Sequence, residues 1–359
     1  MEQTRIQMFE QQIYPELFAK AAEHTIDCFE QQQEKRTEEW KRLLQQYIEQ
    51  LIALQEEYAA PPVEEIDISF LYTSLEEGSP KFRVDSYGKG GRVANSSILT
   101  GCVPADWIAE GAEELSHQLT ERVKEEGLRC YIRAAEIDTL KLRAVRSFLY
   151  YFALRFKYDI QDMLDFKSIA KIKKEPHFFI QIGEYMDWQK TIYAVRPAVD
   201  IFNCEKNTEL RFRNFSAVYY KDKQFKDLNL SQSSFKDCTF KDSSIEGCNM
   251  SDCMFDGCVF ENVTAKATKL TGSIFVNCTF QGTVFEETIF FENFEKKAED
   301  SELEYFEPAE FHDCGFISLK FKSCSLAMCP VRNCDTYTVE IEDSNIDGSE
   351  FEEKPKEEE

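Results

Sequence analysis

Cysteine, histidine and aspartate are the residues whose chemistry would announce a site in this chain, and their spacing argues against each obvious one. There are thirteen cysteines, enough for a disulfide framework or zinc, yet no CxxC pair of the kind that zinc sites and thiol exchange use. His24, His117 and His177 are isolated, with no HExxH motif or paired-histidine spacing to hold a metal, and each reads as a surface or core residue. Asp159, Asp162 and Asp165 in YDIQDMLD recur every third residue, which would set three carboxylates on one helix face. A solvated face is the plain reading of that spacing. YGKGGR (87–92) has glycines and a lysine but not the spacing of a phosphate-binding loop, and reads as a strand-connecting turn. No nucleophile, base or metal constellation assembles from these residues. The chain is therefore expected to be no enzyme, with no catalytic residue, cofactor or metal.

The cysteines have a different logic. Nine of them (Cys238, Cys248, Cys253, Cys258, Cys278, Cys314, Cys324, Cys329, Cys334) stand two residues before a position in a mostly apolar series that counts by five. The series runs Leu210, Phe215, Tyr220, Phe225, Leu230, Phe235, Phe240, Ile245, Met250, Phe255, Phe260, then Leu270, Phe275, Phe280, Phe285 and Phe290, with Ala265 its one small member. A step of five scatters residues around an α-helix and flips them between the faces of a strand, so neither regular element accounts for it. Two residues before each centre comes a small or β-branched side chain. Two after comes a turn former, such as Asp237, Asp242, Gly247, Asp252, Gly257 or Asn262. Each unit reads as a short extended piece with two inward side chains and then a corner. Cysteine at the small position acts as a buried apolar side chain, a use that suits a reducing cytoplasm.

These units resemble the pentapeptide-repeat family, whose repeat is a small residue, a polar residue, Leu or Phe, and two polar or Gly residues. The resemblance covers about residues 208–351 and implies a right-handed quadrilateral β-helix of four five-residue sides per turn. Cys238, Cys258 and Cys278 lie twenty apart, one turn of such a coil, and should stack. The phase breaks after Phe290 and resumes one residue out of step at Phe311, Phe316, Phe321, Leu326 and Val331, then more weakly through Phe351. Residues 291–308 are expected to be an acidic insertion. Residues 352–359 have the composition of a disordered acidic tail.

Nothing before residue 200 carries the period. Residues 36–58 and 132–165 place apolar residues at helical steps. IDISFLYTSL (66–75), KFRVDSYG (81–88) and HFFIQIGEY (177–185) read as strands. An α+β domain over 1–200 is expected, followed by the β-helix over 201–351. The apolar residues of the 36–58 helix (Trp40, Leu43, Leu44, Tyr47, Ile48, Leu51 and Leu54) could serve a homodimer or an intramolecular partner.

The net charge of −24 makes direct binding to nucleic acid or an anionic membrane unfavourable. No apolar run approaches the roughly 18 residues that span a bilayer, and no leader is evident, so a soluble protein of a bacterial cytoplasm is expected. Some members of the resembled family mimic DNA and act on type II topoisomerases. Such mimicry needs a continuous negative stripe, whereas residues 208–285 hold nine acidic and nine basic residues and the surplus falls in the insertion and tail. The expected function is non-catalytic: a scaffold or protein-interaction component in which the coil presents the N-terminal domain to a protein partner. Glu299, Asp300, Glu302, Glu304 and Glu307 in the insertion are the candidate partner-binding residues. Topoisomerase-directed DNA mimicry and an enzyme activity in the N-terminal domain are the alternatives.

Overall fold

The structure is a computed structural model and describes residues 9–94, 96–205, 208–292, 307–336 and 338–351. The chain divides into two compact units, Met1–Ala194 and Val195–Glu359.

The N-terminal unit packs four long helices, α1 (Tyr14–Gln31), α2 (Gln33–Glu57), α3 (Asp106–Glu125) and α4 (Ala134–Met163), with a five-stranded sheet. Its strands are β1 (Val63–Phe70), β2 (Lys81–Tyr87), β3 (Leu99–Pro104), β4 (Lys174–Glu184) and β5 (Gln189–Val195), in the order β3-β2-β1-β4-β5. β1 pairs antiparallel with β2 and parallel with β4, and β2 pairs antiparallel with β3. Alternation along the strands decides the two faces. Ile66, Ile68 and Phe70 on β1 are buried with Phe82 and Val84 on β2 and with Ile180 and Ile182 on β4.

Trp40 of α2 closes this core: its ring lies flat on Phe156 of α4 at 4.6 Å and edge-on to Phe82 at 5.4 Å, and its indole N–H donates to the Pro104 carbonyl at 3.0 Å. The apolar face of α2 is thus spent inside the unit, which removes the sequence argument for self-association through it. α1, α3, β3 and β5 add to the elements that the sequence pattern marks. LYTSL does not continue β1, because Tyr72–Glu76 forms a short helix. Asp159 is not on a solvated face: it is buried beside Arg36, at 3.7 Å, and Arg155, at 3.9 Å. Burial pushes its carboxyl up and pulls Arg36 down to about 10, each partly offset by their pairing. Asp165 instead caps Phe166–Lys171, accepting from the Lys167 N–H at 3.0 Å and the Ser168 hydroxyl at 2.7 Å.

The C-terminal unit is a right-handed quadrilateral β-helix. Three of its sides are parallel sheets of very short strands, beginning at Asn214–Ser216, Tyr219–Lys221 and Gln224–Lys226. The fourth side is held by single bridges that climb from Asn229 through Asn249, Lys269, Ile289 and Ser325 to Asn345. Register is set by the twenty-residue turn: Phe235 pairs with Phe255 and Phe255 with Phe275, while Phe240 pairs with Phe260 and Phe260 with Phe280. The rings stack 4.7 to 5.0 Å apart with nearly parallel planes, each contact contributing about 1 kcal/mol beyond area burial. Every residue assigned to the coil interior, from Phe225 to Phe290 and including Cys238, Cys248, Cys253, Cys258 and Cys278, is buried.

The corner explains the rest of the pattern. The residue two places after each centre from Leu210 to Phe285 has a left-handed backbone, including Asp237 (φ 52°), Asp242 (φ 50°), Gly247 (φ 63°) and Asn262 (φ 53°), which is where Gly, Asn and Asp are least strained. The small residue two places before the centre turns its donor inward. The Cys258 thiol donates to the Phe235 carbonyl at 3.2 Å, and the Ser243 and Thr283 hydroxyls make the same bond to Tyr220 and Phe260.

Candidate functional site

Two surfaces and one buried network could carry function. On the coil, each three-residue strand points its middle side chain inward and its outer two at solvent, so like positions in successive turns form columns. One column, continuing in cross-strand register, reads Lys226, Glu246, Lys266, Glu286, Lys322, Glu342. The sign alternates at every turn. Lys226 pairs with Glu246 at 3.5 Å, Lys266 with Glu286 at 3.4 Å, and Lys322 also reaches Glu286 at 3.6 Å. On neighbouring sides Lys236 pairs with Asp256 at 3.6 Å and Lys241 with Glu261 at 2.5 Å. Such exposed pairs contribute little stability individually. Their consequence is electrostatic, because a face laddered in this way presents no stripe of one sign.

A second column, Tyr219, Thr239, Val259, Thr279 and Gly315, is uncharged over these five turns and meets its first charge at Asp335. Tyr219 is exposed, as is Ile317, which ends the adjoining column. Of the residues expected to bind a partner, Glu307 is half-buried at the return to the coil. Glu299, Asp300, Glu302 and Glu304, and the tail 352–359, lie outside the described residues.

In the N-terminal unit the polar side of the sheet holds a row that the sequence reading missed. Thr100, Asp85, Asp67 and Gln181 are level across β3, β2, β1 and β4, and both aspartates are almost fully buried. Asp85 accepts from the Thr100 hydroxyl at 2.6 Å and from Arg83 at 2.9 Å. Among the described residues, Arg92 is the counter-charge that Asp67 meets, at 4.0 Å. Burial, then repulsion from Glu65, pushes the Asp67 carboxyl up to about 8. Arg92 comes from YGKGGR, whose last residues start the four-residue helix Gly91–Ala94. The loop folds over β1, and its backbone N–H at Arg92 donates to Glu65 at 3.1 Å. The available signal was strand alternation, with Asp67 and Ser69 between apolar neighbours.

A cavity of about 470 Å³ opens among Phe9, Tyr14, Tyr131, Ile132, Glu136, Thr139, Leu140 and Arg143. Its Glu136 carboxylate is engaged by the Arg133 backbone N–H at 2.9 Å and its Thr139 hydroxyl by the Ala135 carbonyl at 2.8 Å. Among the described residues, no nucleophile with an adjacent base lines it. His117 is exposed on α3 and His177 half-buried on β4. His24 is not isolated. It lies on α1 one turn before Cys28, its Nε2 3.7 Å from the Cys28 Sγ, and Glu110 of α3 completes a group whose three donor atoms lie within 4.8 Å of one another. Burial, then the Glu110 carboxylate, pushes the Cys28 thiol up to about 11, so it is no nucleophile at neutral pH.

A family model described as pentapeptide repeats matches residues 224–262 in eight copies, within the stretch that forms the coil. Residues 224–262 are pentapeptide repeats. Solved structures similar to part of this chain include the pentapeptide-repeat protein Rfr23 from the cyanobacterium Cyanothece 51142, at 10% identity over 38% of this chain and 86% of that one, with a TM-score of 0.20. HetL from Nostoc sp. strain PCC 7120, a pentapeptide-repeat protein involved in heterocyst differentiation regulation, is 8% identical over 40% of this chain and 88% of its own, with a TM-score of 0.15. Trypsin-treated QnrB1, a plasmid-mediated fluoroquinolone resistance protein, is 11% identical over 38% and 74%, with a TM-score of 0.16. No curated protein matches the chain. Among the described residues no helix is long and apolar enough to cross a membrane. The pentapeptide-repeat fold supports a non-catalytic repeat protein: the inward positions are spent on stacking and corners, with the Cys258, Ser273 and Thr283 donors bonded to backbone carbonyls.

Proposed function

We propose that the protein is a non-catalytic scaffold or adaptor of the bacterial cytoplasm, in which the pentapeptide-repeat coil presents the N-terminal α+β unit to a protein partner. The observation that carries this reading is the alternating ladder from Lys226 to Glu342. A mimic of DNA must offer negative charge at regular intervals to a groove built for phosphates, and here every second position along that column is a lysine. A coil with cancelled charge and one uncharged strand column suits a protein surface better than a polyanion site. The acidic insertion, 291–308, is the second proposed contact, because insertions in repeat proteins gather on binding faces. An enzyme in the N-terminal unit is the weaker reading, since the cavity beside Arg143 holds no nucleophile and base in contact.

The test pairs affinity capture with a supercoiling assay. The full chain is expected to retain one partner in stoichiometric amount and a chain lacking 293–308 to lose it. Equimolar protein is expected to leave supercoiling by a type II topoisomerase unchanged. Stoichiometric, salt-sensitive inhibition of supercoiling would replace the adaptor reading with mimicry.

A further inference from the structure

We propose that His24, Cys28 and Glu110 form a binding site for zinc, or a divalent d-block cation of similar character, that ties α1 to α3. The helical period places His24 and Cys28 on one side of α1, four residues apart. The third ligand arrives through close helix packing. Gly111 of α3 sits so near Thr25 of α1 that a β-carbon there would come within 1.7 Å of the Thr25 hydroxyl and 3.3 Å of the Ala21 carbonyl. That approach sets Glu110, the preceding residue, against Cys28.

The distances suit coordination. Bonds of about 2.0 Å to nitrogen and oxygen and 2.3 Å to sulfur set the donors of a tetrahedral site about 3.5 Å apart. The His24 and Cys28 donors are 3.7 Å apart, and all three donors fall within 4.8 Å. His24 and Glu110 are exposed, so small rotamer shifts can close the remaining gap without disturbing the core. Imidazole, thiolate and carboxylate together select zinc or cobalt over the hard cations magnesium and calcium. On coordination the thiol proton leaves to solvent, and the fourth position falls to water. Two ligands from α1 and one from α3 make the ion a staple between helices that the chain packs without any disulfide.

The full chain, stripped with chelator, would be titrated with cobalt(II). A thiolate-to-cobalt charge-transfer band that saturates at one equivalent and is displaced by zinc is expected. Cys28→Ser should abolish the band. His24→Gln and Glu110→Gln should each weaken affinity by more than tenfold, beyond the smallest loss that even an outer-shell partner causes. Zinc should raise the melting temperature of the native chain and leave that of Cys28→Ser unchanged. Absence of a saturating band, or a band that persists in Cys28→Ser because another thiol supplies it, would overturn the site. Should Cys28→Ser not fold, unaltered cobalt affinity in both the His24 and Glu110 variants would overturn it equally.

Discussion

Phe275 stacks on Phe311, ring centroids 4.9 Å apart and planes 6° from parallel, although one full turn of the coil elsewhere spans twenty residues and this one spans thirty-six. The sixteen extra residues are 293–308, because Glu292 completes the unit centred on Phe290 and Ala309 begins the next. The Ala309 N–H donates to the Phe290 carbonyl at 2.9 Å, so the ends already meet. Joining Glu292 directly to Ala309 should therefore leave the coil intact, and removal of the loop-closure term should stabilise it by about 2 kcal/mol. Removing one residue more or fewer should cost several times that, since it forces a corner residue into the interior. Equilibrium urea unfolding of the three deletions decides it; equal stability for all three would show that the register across the insertion is not fixed.

The interior thiols are structural. Burial pushes Cys248 and Cys324 up and takes Cys329 to about 12. Native protein should therefore be alkylated at the exposed Cys102 and Cys130, with the eight buried coil cysteines reacting only on unfolding. Cys258→Ser keeps the donor that Ser243 and Thr283 use at equivalent positions and should cost under about 1 kcal/mol. Cys258→Leu overfills the column and should cost about 1–3 kcal/mol. Mass mapping of labelled peptides and a denaturant titration test the pair; rapid native labelling of Cys258 would contradict the packing.

The coil was legible because its physics is local. A five-residue unit declares its inward residue, its donor and its left-handed corner within the unit itself, and the period does the rest. The N-terminal unit was less so, for reasons that differ by element. α1 buries little beyond Ala21, Thr25 and Phe29, too narrow a stripe to stand out, and without that helix the four-residue spacing of His24 and Cys28 had no meaning. Glu110 joins them only through packing at Gly111, which no sequence window contains. The Asp67–Asp85 row needed strand pairing, since the two residues lie eighteen apart in sequence yet are level in the sheet.

That row makes stability depend on pH. Asp67 has its folded pKa raised to about 8 from 3.8, so the folded state holds this proton more tightly than the unfolded chain. The stabilisation is complete below the unfolded value and is lost as pH rises through about 8. Asp67→Asn keeps the shape and cannot ionise. The variant should melt at a nearly constant temperature from about pH 5 to 9, and above about pH 8 it should melt higher than the native chain. A native chain that gains stability across that range would show that Arg92 holds Asp67 ionised.

Reversing one rung of the charge ladder separates the two functional readings. Lys266 lies between Glu246 and Glu286 in adjacent turns, so Lys266→Glu sets three carboxylates in line along one side. Repulsion between them should lower the melting temperature slightly at low salt, and added salt should restore it, because the groups are exposed and screened. The same change builds the stripe that a DNA mimic would need. If the native coil acted on a topoisomerase through its charge, the variant should inhibit supercoiling more strongly than the native chain. An adaptor that binds through its uncharged column should show no inhibition in either form, while Val259→Lys, which adds charge to that column without touching the interior, should release the partner. Partner release by Lys266→Glu but not by Val259→Lys would move the interface onto the ladder itself.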